Sequence, residues 1–393
     1  MSTSSVYLDY AATTPVAPPV AARMAECLTL EGAFGNPGST SHEYGERASE
    51  LVEAARSEVA AAVGAEAADI IWTSGATESN NLAIFGVAQY YRGAGQHIIT
   101  ALTEHKSVLD PCRELERRGW HVTYLAPDRD GAVDPAQVAA ALSPETVLVS
   151  LMHVNNETGV IQDIAALAAL CARSGRARLH VDAAQSVGKC PIDFGALGID
   201  LMSLSAHKAY GPKGAGALAV SRRRGVHLTP LVYGGGQERA LRSGTLATHQ
   251  AVGMGAAFAL AGAALEPELE RVAGLKERLW RALRALGGVY LNGGTRGVPH
   301  LLNVSFDDVE GESLLAAVSP YIAISTGSAC TSASREPSYV LRALGRDDRL
   351  AESSLRFSFG RFTRESDIDA AAQAVSRAVT RLRRIAGRRS AGT

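Results

Sequence analysis

The sequence predicts an α/β protein in which helices cover both faces of a mainly parallel β-sheet, followed by a smaller α+β unit. The chain has 393 residues, of which 46% are hydrophobic and 20% charged, as in a globular protein of two or three domains. Up to about residue 220, short apolar runs alternate with longer helical patterns, which is the βαβ rhythm of a parallel sheet. Beyond Gly225 the rhythm gives way to Gly-rich loops and a long Ala-rich run.

The elements follow from these runs. Strands buried on both faces read as continuous apolar stretches, and we expect them at 70–72, 96–100, 121–126, 145–152, 178–182 and 200–205. In the smaller unit we expect one long helix over 246–287, strands at 290–293, 301–306 and 355–360, and a final helix over 365–384. We expect the closing residues RRIAGRRSAGT to form a frayed basic tail, and the N-terminal segment to join the smaller unit.

Charge and cysteine content argue against several classes of protein. Lys+Arg total 39 and Asp+Glu total 40, so the net charge of −1 argues against direct binding of nucleic acid. The five cysteines are widely spaced, which predicts reduced thiols in the cytoplasm and no Cys-rich metal site. The sequence shows no signal-peptide pattern, no apolar stretch of membrane-spanning length, and no GxGxxG, P-loop or HExxH motif.

Polar side chains follow five successive strand ends, at 74–77, 104–106, 153–157, 182–185 and 205–208. Ligands of parallel sheets bind beyond the carboxyl ends of the strands. Each group also has a plain structural alternative. Ser74 or Thr77 can be a helix N-cap. His105 can be a loop histidine, Asp182 a helix cap and Lys208 a solvated turn lysine. Because loops without a functional role rarely place polar groups at five strand ends in a row, we interpret the set as one site.

Such a set suits an aldehyde cofactor with a pyridine ring and a phosphate. The aldehyde requires a lysine, for which Lys208 is the candidate, and the ring nitrogen requires a carboxylate, for which Asp182 is the candidate. His105 can lie over the ring and move protons. Free N–H groups at a helix start bind phosphate well. The candidates for phosphate contact are Thr77, Ser205 and His207.

A second set of candidates lies near the C-terminus. Cys330 stands in the small polar run SACTS close to Gly327. We interpret it as a nucleophile rather than an incidental surface thiol, whereas most of the other four cysteines suit the core. Arg356 on a predicted strand can bind a substrate carboxylate through two parallel hydrogen bonds. Its structural alternative is a salt bridge at the rim.

Motifs along most of the chain carry a family resemblance. They are YLDYAATTP, FGNPGSTSH, TSGATESNNLAI, TEHKSVLD, HVNNETGVIQDI, HVDAAQSVGK, SLSAHKAYGPKG, GGGQERALRSGT, VEGESL, STGSACTSASREPSYVLRALG and SLRFSFGRFT. In these the chain resembles the pyridoxal-phosphate-dependent cysteine desulfurases of the IscS/NifS type. The resemblance implies a fold-type I transferase with a seven-stranded sheet, and a homodimer. It also implies a large cofactor-binding domain over 15–255 and a small domain made of 1–14 and 256–393.

The resemblance assigns roles by position in the motifs. Lys208 matches the lysine that binds the cofactor, Asp182 the partner of the ring nitrogen and Gln185 the partner of the ring hydroxyl. His105 matches the histidine that stacks on the ring, and Cys330 the cysteine that takes the sulfur. The remaining matches are Ala76, Thr77, Ser205 and His207 as phosphate contacts, Thr245 as a phosphate contact from the other subunit, Asn156 as a contact to cofactor or substrate, and Arg356 as the carboxylate clamp.

The implied activity is removal of sulfur from L-cysteine, giving alanine and a persulfide on Cys330. The sulfur then passes to an acceptor protein, such as an iron–sulfur scaffold or a thiolation relay. The extended loop around Cys330 resembles that of general sulfur donors. The sequence ends soon after RLR, where housekeeping members continue with a scaffold-docking segment, which leaves open a role in thiolation of tRNA, a cofactor or DNA.

Three alternatives stay open at the level of sequence. An aminotransferase or a selenocysteine lyase would use the same cofactor. A transaminase needs no thiol, so Cys330 disfavours it. A sulfur carrier without cofactor is disfavoured by Lys208 and Asp182.

Overall fold

The computed structural model describes residues 5–326 and 336–390, with side chains up to residue 387. Cys330 lies outside the described residues. The strands are β1 (Val6–Tyr7), β2 (Ile70–Thr73), β3 (His97–Ala101), β4 (His121–Leu125), β5 (Thr146–Met152), β6 (Arg178–Asp182), β7 (Leu201–Ser205), β8 (Gly216–Val220), β9 (Val289–Leu291), β10 (Leu301–Phe306), β11 (Ile322–Ala323) and β12 (Ser354–Ser358). The helices are α1 (Pro18–Ala25), α2 (Glu43–Ala62), α3 (Ala76–Tyr90), α4 (Lys106–Arg117), α5 (Pro135–Ala141), α6 (Ile164–Ser174), α7 (Thr248–Ala263), α8 (Leu265–Arg284), α9 (Gly311–Val318), α10 (Tyr339–Ala343), α11 (Asp348–Glu352) and α12 (Glu365–Ser390).

The central sheet of the described chain has seven strands in the order β2-β8-β7-β6-β5-β3-β4. β8 is antiparallel to β2 and β7, and the other pairings in this sheet are parallel. The prediction of a mainly parallel, seven-stranded sheet is confirmed. Because β3, β5, β6 and β7 are parallel, their carboxyl ends lie at one edge, and the polar residues that follow them meet there.

Helices cover both faces of this sheet. On one face, α2, α6 and α7 join the sheet in an apolar core that includes Val59, Leu151 and Phe258. On the other face, α3 and α4 pack against side chains such as Leu148. Every residue of β3, β5, β7 and β8 is therefore buried, as expected for strands sandwiched between helices.

A second, antiparallel sheet has the order β12-β10-β9 and its own apolar core with α8, α9 and α12. β1 pairs in parallel with β11, with Val6 opposite Ile322, so the N-terminal segment lies beside the C-terminal part of the chain. Residue 255 lies within α7, and the division of the chain into domains at 14 and 255 stays a prediction. None of the described helices is both long and apolar enough to cross a membrane.

The prediction of one long helix over 246–287 is wrong. Two helices, α7 and α8, occupy this stretch, and Ala264 separates them. Pro267 lies in the first turn of α8. Its ring removes the N–H that would bond to the carbonyl of Ala263 and clashes with that carbonyl, so α7 cannot continue through it.

The predicted frayed tail is also wrong in part, because α12 continues to Ser390. The side chain of Arg383 fixes this stretch of the helix. It donates hydrogen bonds to the backbone carbonyls of Asp307, Leu286, Gly287 and Gly288.

Candidate active site

A cavity of about 630 Å³ lies at the carboxyl-end edge of the central sheet. The structure brings ten of the predicted site residues to its walls. They are Ala76, Thr77, His105, Asn156, Asp182, Gln185, Ser205, His207, Lys208 and Arg356. The residues from the separate strand ends therefore line one cavity together with Arg356, and their roles in it stay predictions.

Asp182 ends β6 and is buried at the floor of the cavity, with 6% of its surface exposed. Its Oδ1 accepts from the backbone N–H of Ala184 at 2.9 Å, which is a local turn bond of the capping kind. Its Oδ2 accepts from Asn80 Nδ2 on α3 at 2.8 Å. Two donors hold this carboxylate in a fixed orientation, so Asp182 can face the protonated nitrogen of a pyridine ring.

His105 is the N-cap of α4, and it also lines the cavity. The backbone N–H of Ser107 donates to His105 Nδ1 at 3.1 Å, and Ser107 Oγ lies 2.8 Å from the same nitrogen. Since Nδ1 accepts the backbone N–H, the proton of the neutral ring lies on Nε2. Burial, with help from the charge of Lys208, lowers the pKa of His105. The ring is therefore neutral near pH 7, with Nδ1 engaged and Nε2 carrying the proton.

Asn80 links these two groups. Its amide nitrogen donates to Asp182 Oδ2 and to Ser107 Oγ, at 2.8 Å in each case. Because Ser107 Oγ accepts this bond, its own hydrogen can be donated to His105. Asn80 is fully buried on α3. The sequence interpretation missed it, although a run of polar residues inside the apolar pattern ESNNLAI is a signal that could have found it.

The first turn of α3 forms an anion-binding wall. Gly75 occupies the N-cap position with φ of 150° and no capping side chain, so neither Ser74 nor Thr77 caps the helix. The backbone N–H groups at the start of this helix and its dipole can bind a phosphate. Gly216 of β8 packs directly on Gly75, where a Cβ would clash with the Gly75 backbone. Both glycines therefore keep this wall of the cavity close to the sheet.

Lys208 and His207 lie in a short 3-10 turn, Ala206–Lys208, directly after β7. Thr14 holds this turn through bonds from its N–H and Oγ1 to the carbonyl of His207, at 2.8 and 2.9 Å. Thr13 Oγ1 lies 3.1 Å from His207 Nδ1. Burial and the neighbouring Lys208 lower the pKa of His207 to about 4. A neutral His207 can act in the cavity as a hydrogen-bond donor or acceptor.

Arg356 on β12 is buried, with 2% exposed, so its rim alternative is excluded. Its guanidinium donates to the carbonyl of Asn156 and to Asp9 Oδ1, both at 2.9 Å. Among the residues that the structure describes, Arg356 Nε and Asn156 Oδ1 are buried and have no hydrogen-bond partner. A donor and an acceptor are thus left for a ligand in the cavity that both residues line. The sequence interpretation did not assign Asp9, although it lies in the quoted motif YLDYAATTP.

The segment that contains Cys330 is bordered on both sides by residues bonded to the cavity walls. Before it, Ser325 Oγ donates to Asp9 Oδ2 at 2.9 Å. After it, Ser338 Oγ donates to the buried carboxylate of Glu157. Tyr339 then donates to the carbonyl of Glu104 at 2.8 Å. Glu157 and Glu104 directly adjoin Asn156 and His105, which line the cavity.

Thr245 does not line this cavity. It lines a separate one of about 300 Å³, together with Asn36, Arg56, Gln237 and Glu238. A role for Thr245 at the site of another subunit stays a prediction.

The four cysteines of the described chain, Cys27, Cys112, Cys171 and Cys190, are all buried. Burial raises the pKa of the last three thiols to about 12. Their burial makes them inert core groups, which the sequence predicted for most of the four.

Comparison with known proteins identifies the family. The model of the class-V aminotransferases matches residues 6–371. The cysteine desulfurase IscS of Pseudomonas putida (strain W619) is 58% identical over 381 residues, which are 97% of this chain and 94% of that protein. A solved NifS-like protein has a TM-score of 0.89 at 34% identity and covers 96% of this chain and 99% of its own. The solved complex of SspA with cysteine has a TM-score of 0.80 at 37% identity, covering 90% and 99%.

The chain therefore belongs to the class-V aminotransferase family, which comprises pyridoxal-phosphate-dependent enzymes of fold-type I. Within that family it is a cysteine desulfurase of the IscS/NifS type. The residues of the cavity fit the cofactor. They include a lysine, a doubly bonded carboxylate, a helix start without a capping side chain, and buried polar atoms that have no partner within the described chain.

Proposed function

We propose that the chain removes sulfur from L-cysteine in this cavity, transfers it to Cys330 and releases alanine, before an acceptor protein takes the sulfur. One observation carries the proposal. Lys208, Asp182 and Arg356 face one cavity. The segment that contains Cys330 is bordered by Ser325 and Ser338, which bond to residues at that cavity.

Bound pyridoxal phosphate supplies an electron sink for the substrate carbon. Lys208 would hold its aldehyde and Asp182 its ring nitrogen. Gln185 would contact the ring hydroxyl. The phosphate would be held by the start of α3 at Ala76 and Thr77, with Ser205 and His207, and by Thr245 of a second subunit.

Arg356 and Asn156 would bind the substrate. Arg356 already bonds to Asp9, and its unpaired Nε can donate to the carboxylate of L-cysteine. The SspA structure with cysteine, 37% identical to this chain, supports cysteine as the ligand. Fixing the carboxylate orients the substrate relative to Lys208.

Proton transfer falls to Lys208 and His105. Lys208, once released from the cofactor by the substrate amine, can move a proton to and from the substrate carbon. His105 is neutral, with Nδ1 engaged by Ser107. Its Nε2 can give a proton and take one back at the cavity.

The sulfur step balances without an outside oxidant. The Cys330 thiolate forms an S–S bond to the substrate sulfur as the substrate C–S bond breaks. The electron pair of that bond stays with the substrate carbon, which takes a proton and leaves as alanine. Cys330 keeps the sulfur as a persulfide, and an acceptor thiol then takes it over.

The proposal extends to the oligomeric state, the cellular compartment and the sulfur acceptor. The chain works as a homodimer, which would bring Thr245 of one subunit to the cavity of the other. It works in the cytoplasm, where thiols stay reduced. The acceptor is an iron–sulfur scaffold or a thiolation relay.

The test uses the purified protein and its Cys330→Ala variant. The parent should absorb visible light through bound cofactor, change its spectrum on adding L-cysteine, and form alanine and reductant-released sulfide. The variant should keep the spectral response but form little alanine or sulfide. Equal sulfur transfer by both proteins would refute the role of Cys330. Cofactor binding without sulfide from the parent would favour an aminotransferase, and a protein that cannot be loaded with cofactor would refute the enzyme.

A further inference from the structure

A buried lysine lies directly behind the cavity wall. Lys189, in the turn after β6, is 7% exposed. Its Nζ donates a short hydrogen bond to Gln185 Oε1. Lys189 itself does not line the main cavity, whereas Gln185 does.

This bond fixes which way the Gln185 amide points. The oxygen accepts from Lys189, and the nitrogen donates one N–H to the carbonyl of Ala11 at 2.8 Å. An amide nitrogen carries two N–H groups. The second N–H of Gln185 is therefore left for a ligand in the cavity. A flipped amide would instead direct an oxygen toward that ligand.

Lys189 is expensive to bury, since it forms no ion pair within the described part of the chain. Burial, with the charge of Lys208, lowers the pKa of its amine to about 7. The charged or titratable groups that interact electrostatically with it are Lys208, Cys190, Arg356, Glu268, His300 and His207. None of these is a carboxylate free to pair with it, because Glu268 pairs with Arg361.

Two small cavities flank this lysine, each of about 10 Å³ and so about the size of one water molecule. Lys189 and His300 line both. Gln185 lines one of them and Lys208 the other. Both ring nitrogens of His300 are buried without a hydrogen-bond partner in the described structure. The two cavities beside Lys189 therefore reach Gln185 on one side and Lys208 on the other.

We propose that Lys189 is a positioning residue that acts through Gln185, holding the amide so that an N–H faces the ring oxygen of pyridoxal phosphate. This inference rests on the proposed site. An N–H directed at the ring oxygen stabilises its ionised form, and a flipped amide would repel it. The lysine thus sets the affinity for the cofactor and the pH at which the bound cofactor changes its spectrum.

The experiment measures two properties of Lys189→Met, Gln185→Ala and the double variant. They are the dissociation constant of pyridoxal phosphate and the pH midpoint of its visible absorbance change in the protein. Lys189→Met should weaken cofactor binding about tenfold and raise the midpoint by about one pH unit. In the Gln185→Ala background, Lys189→Met should add less than about twofold, because the group through which it acts is gone.

Lys276→Met is the matched control. Lys276 is partly buried and donates to a backbone carbonyl, that of Val298, at 3.1 Å. The Lys276→Met variant should leave the dissociation constant of pyridoxal phosphate and the pH midpoint unchanged. Additive effects of Lys189→Met and Gln185→Ala would overturn the proposal, as would a Gln185→Ala variant with parental affinity and midpoint.

If Lys189→Met does not fold, a Gln185→Glu variant provides the second test. Its carboxylate pairs with Lys189 but has no N–H for the ring oxygen, so it should raise the midpoint, and an unchanged midpoint would refute the proposal. A parent protein that binds no pyridoxal phosphate would instead refute the proposed function.

Discussion

Removing the Asn80 amide should weaken cofactor binding, although Asn80 itself lies behind Asp182. The substitution Asn80→Ala deletes two hydrogen bonds of 2.8 Å, one to Asp182 Oδ2 and one to Ser107 Oγ. A hydrogen bond to a charged group contributes about 1.5–3 kcal/mol and a neutral one about 1 kcal/mol. Only the first bond supports the carboxylate of Asp182, which is proposed to meet the ring nitrogen. We therefore expect the dissociation constant of pyridoxal phosphate to rise between about tenfold and about a hundredfold.

The second lost bond should affect a different property. Without Asn80, Ser107 loses the donor that directs its hydroxyl hydrogen toward His105. The pH profile of the reaction should then change as well as the affinity, because the hydrogen bond of the Ser107 hydroxyl to His105 Nδ1 is weakened.

The assay is equilibrium binding of pyridoxal phosphate to the cofactor-free protein, followed by visible absorbance, with thermal unfolding of the same samples. Asn81→Ala is the matched control. Asn81 is the next residue of α3, and in the described part of the chain its side chain donates within its own helix alone, to the carbonyl of Thr77 at 2.9 Å. An Asn80→Ala protein that binds cofactor as tightly as Asn81→Ala would show that Asp182 does not depend on Asn80.

Two further predictions concern the borders of the Cys330 segment and the response to acid. Ser338→Ala removes the bond to Glu157. It should slow persulfide formation on Cys330 by about tenfold, with the spectral response to L-cysteine unchanged, because small displacements of a reacting group are costly. Stopped-flow absorbance measures the spectral response and mass spectrometry measures persulfide formation. Equal slowing of the two would contradict this prediction. Burial lowers the pKa of His180 to about 4. A lowered folded pKa stabilises the protein fully above the unfolded value of about 6.5, and this contribution is lost as the pH falls toward 4, amounting to about 3 kcal/mol. The free energy of unfolding, measured with urea at pH 7 and pH 4.5, should therefore decrease less in His180→Asn than in the parent. Equal decreases in both proteins would disprove the lowered pKa of His180.

The periodicity of the sequence was enough to predict the sheet and the edge at which the site lies. Apolar runs locate strands because both faces of the sheet are buried, and parallel strands bring their ends together. The contacts that orient the site are not local. Asn80 and Asp182 are 102 residues apart, and Asp9 and Arg356 are 347 residues apart, so no periodic pattern links them. The helix break at Ala264 was missed because apolar periodicity continues across it, although Pro267 was a local signal.

The pairing of Asp9 with Arg356 also has a consequence for biosynthesis. Asp9 is translated 347 residues before Arg356, so the two cannot pair until Arg356 has left the ribosome. The wall that would hold the substrate carboxylate is thus completed late relative to Lys208, which precedes Arg356 in the chain. A ribosome-bound chain that contains Lys208 but not Arg356 would lack the group proposed to bind the carboxylate of L-cysteine.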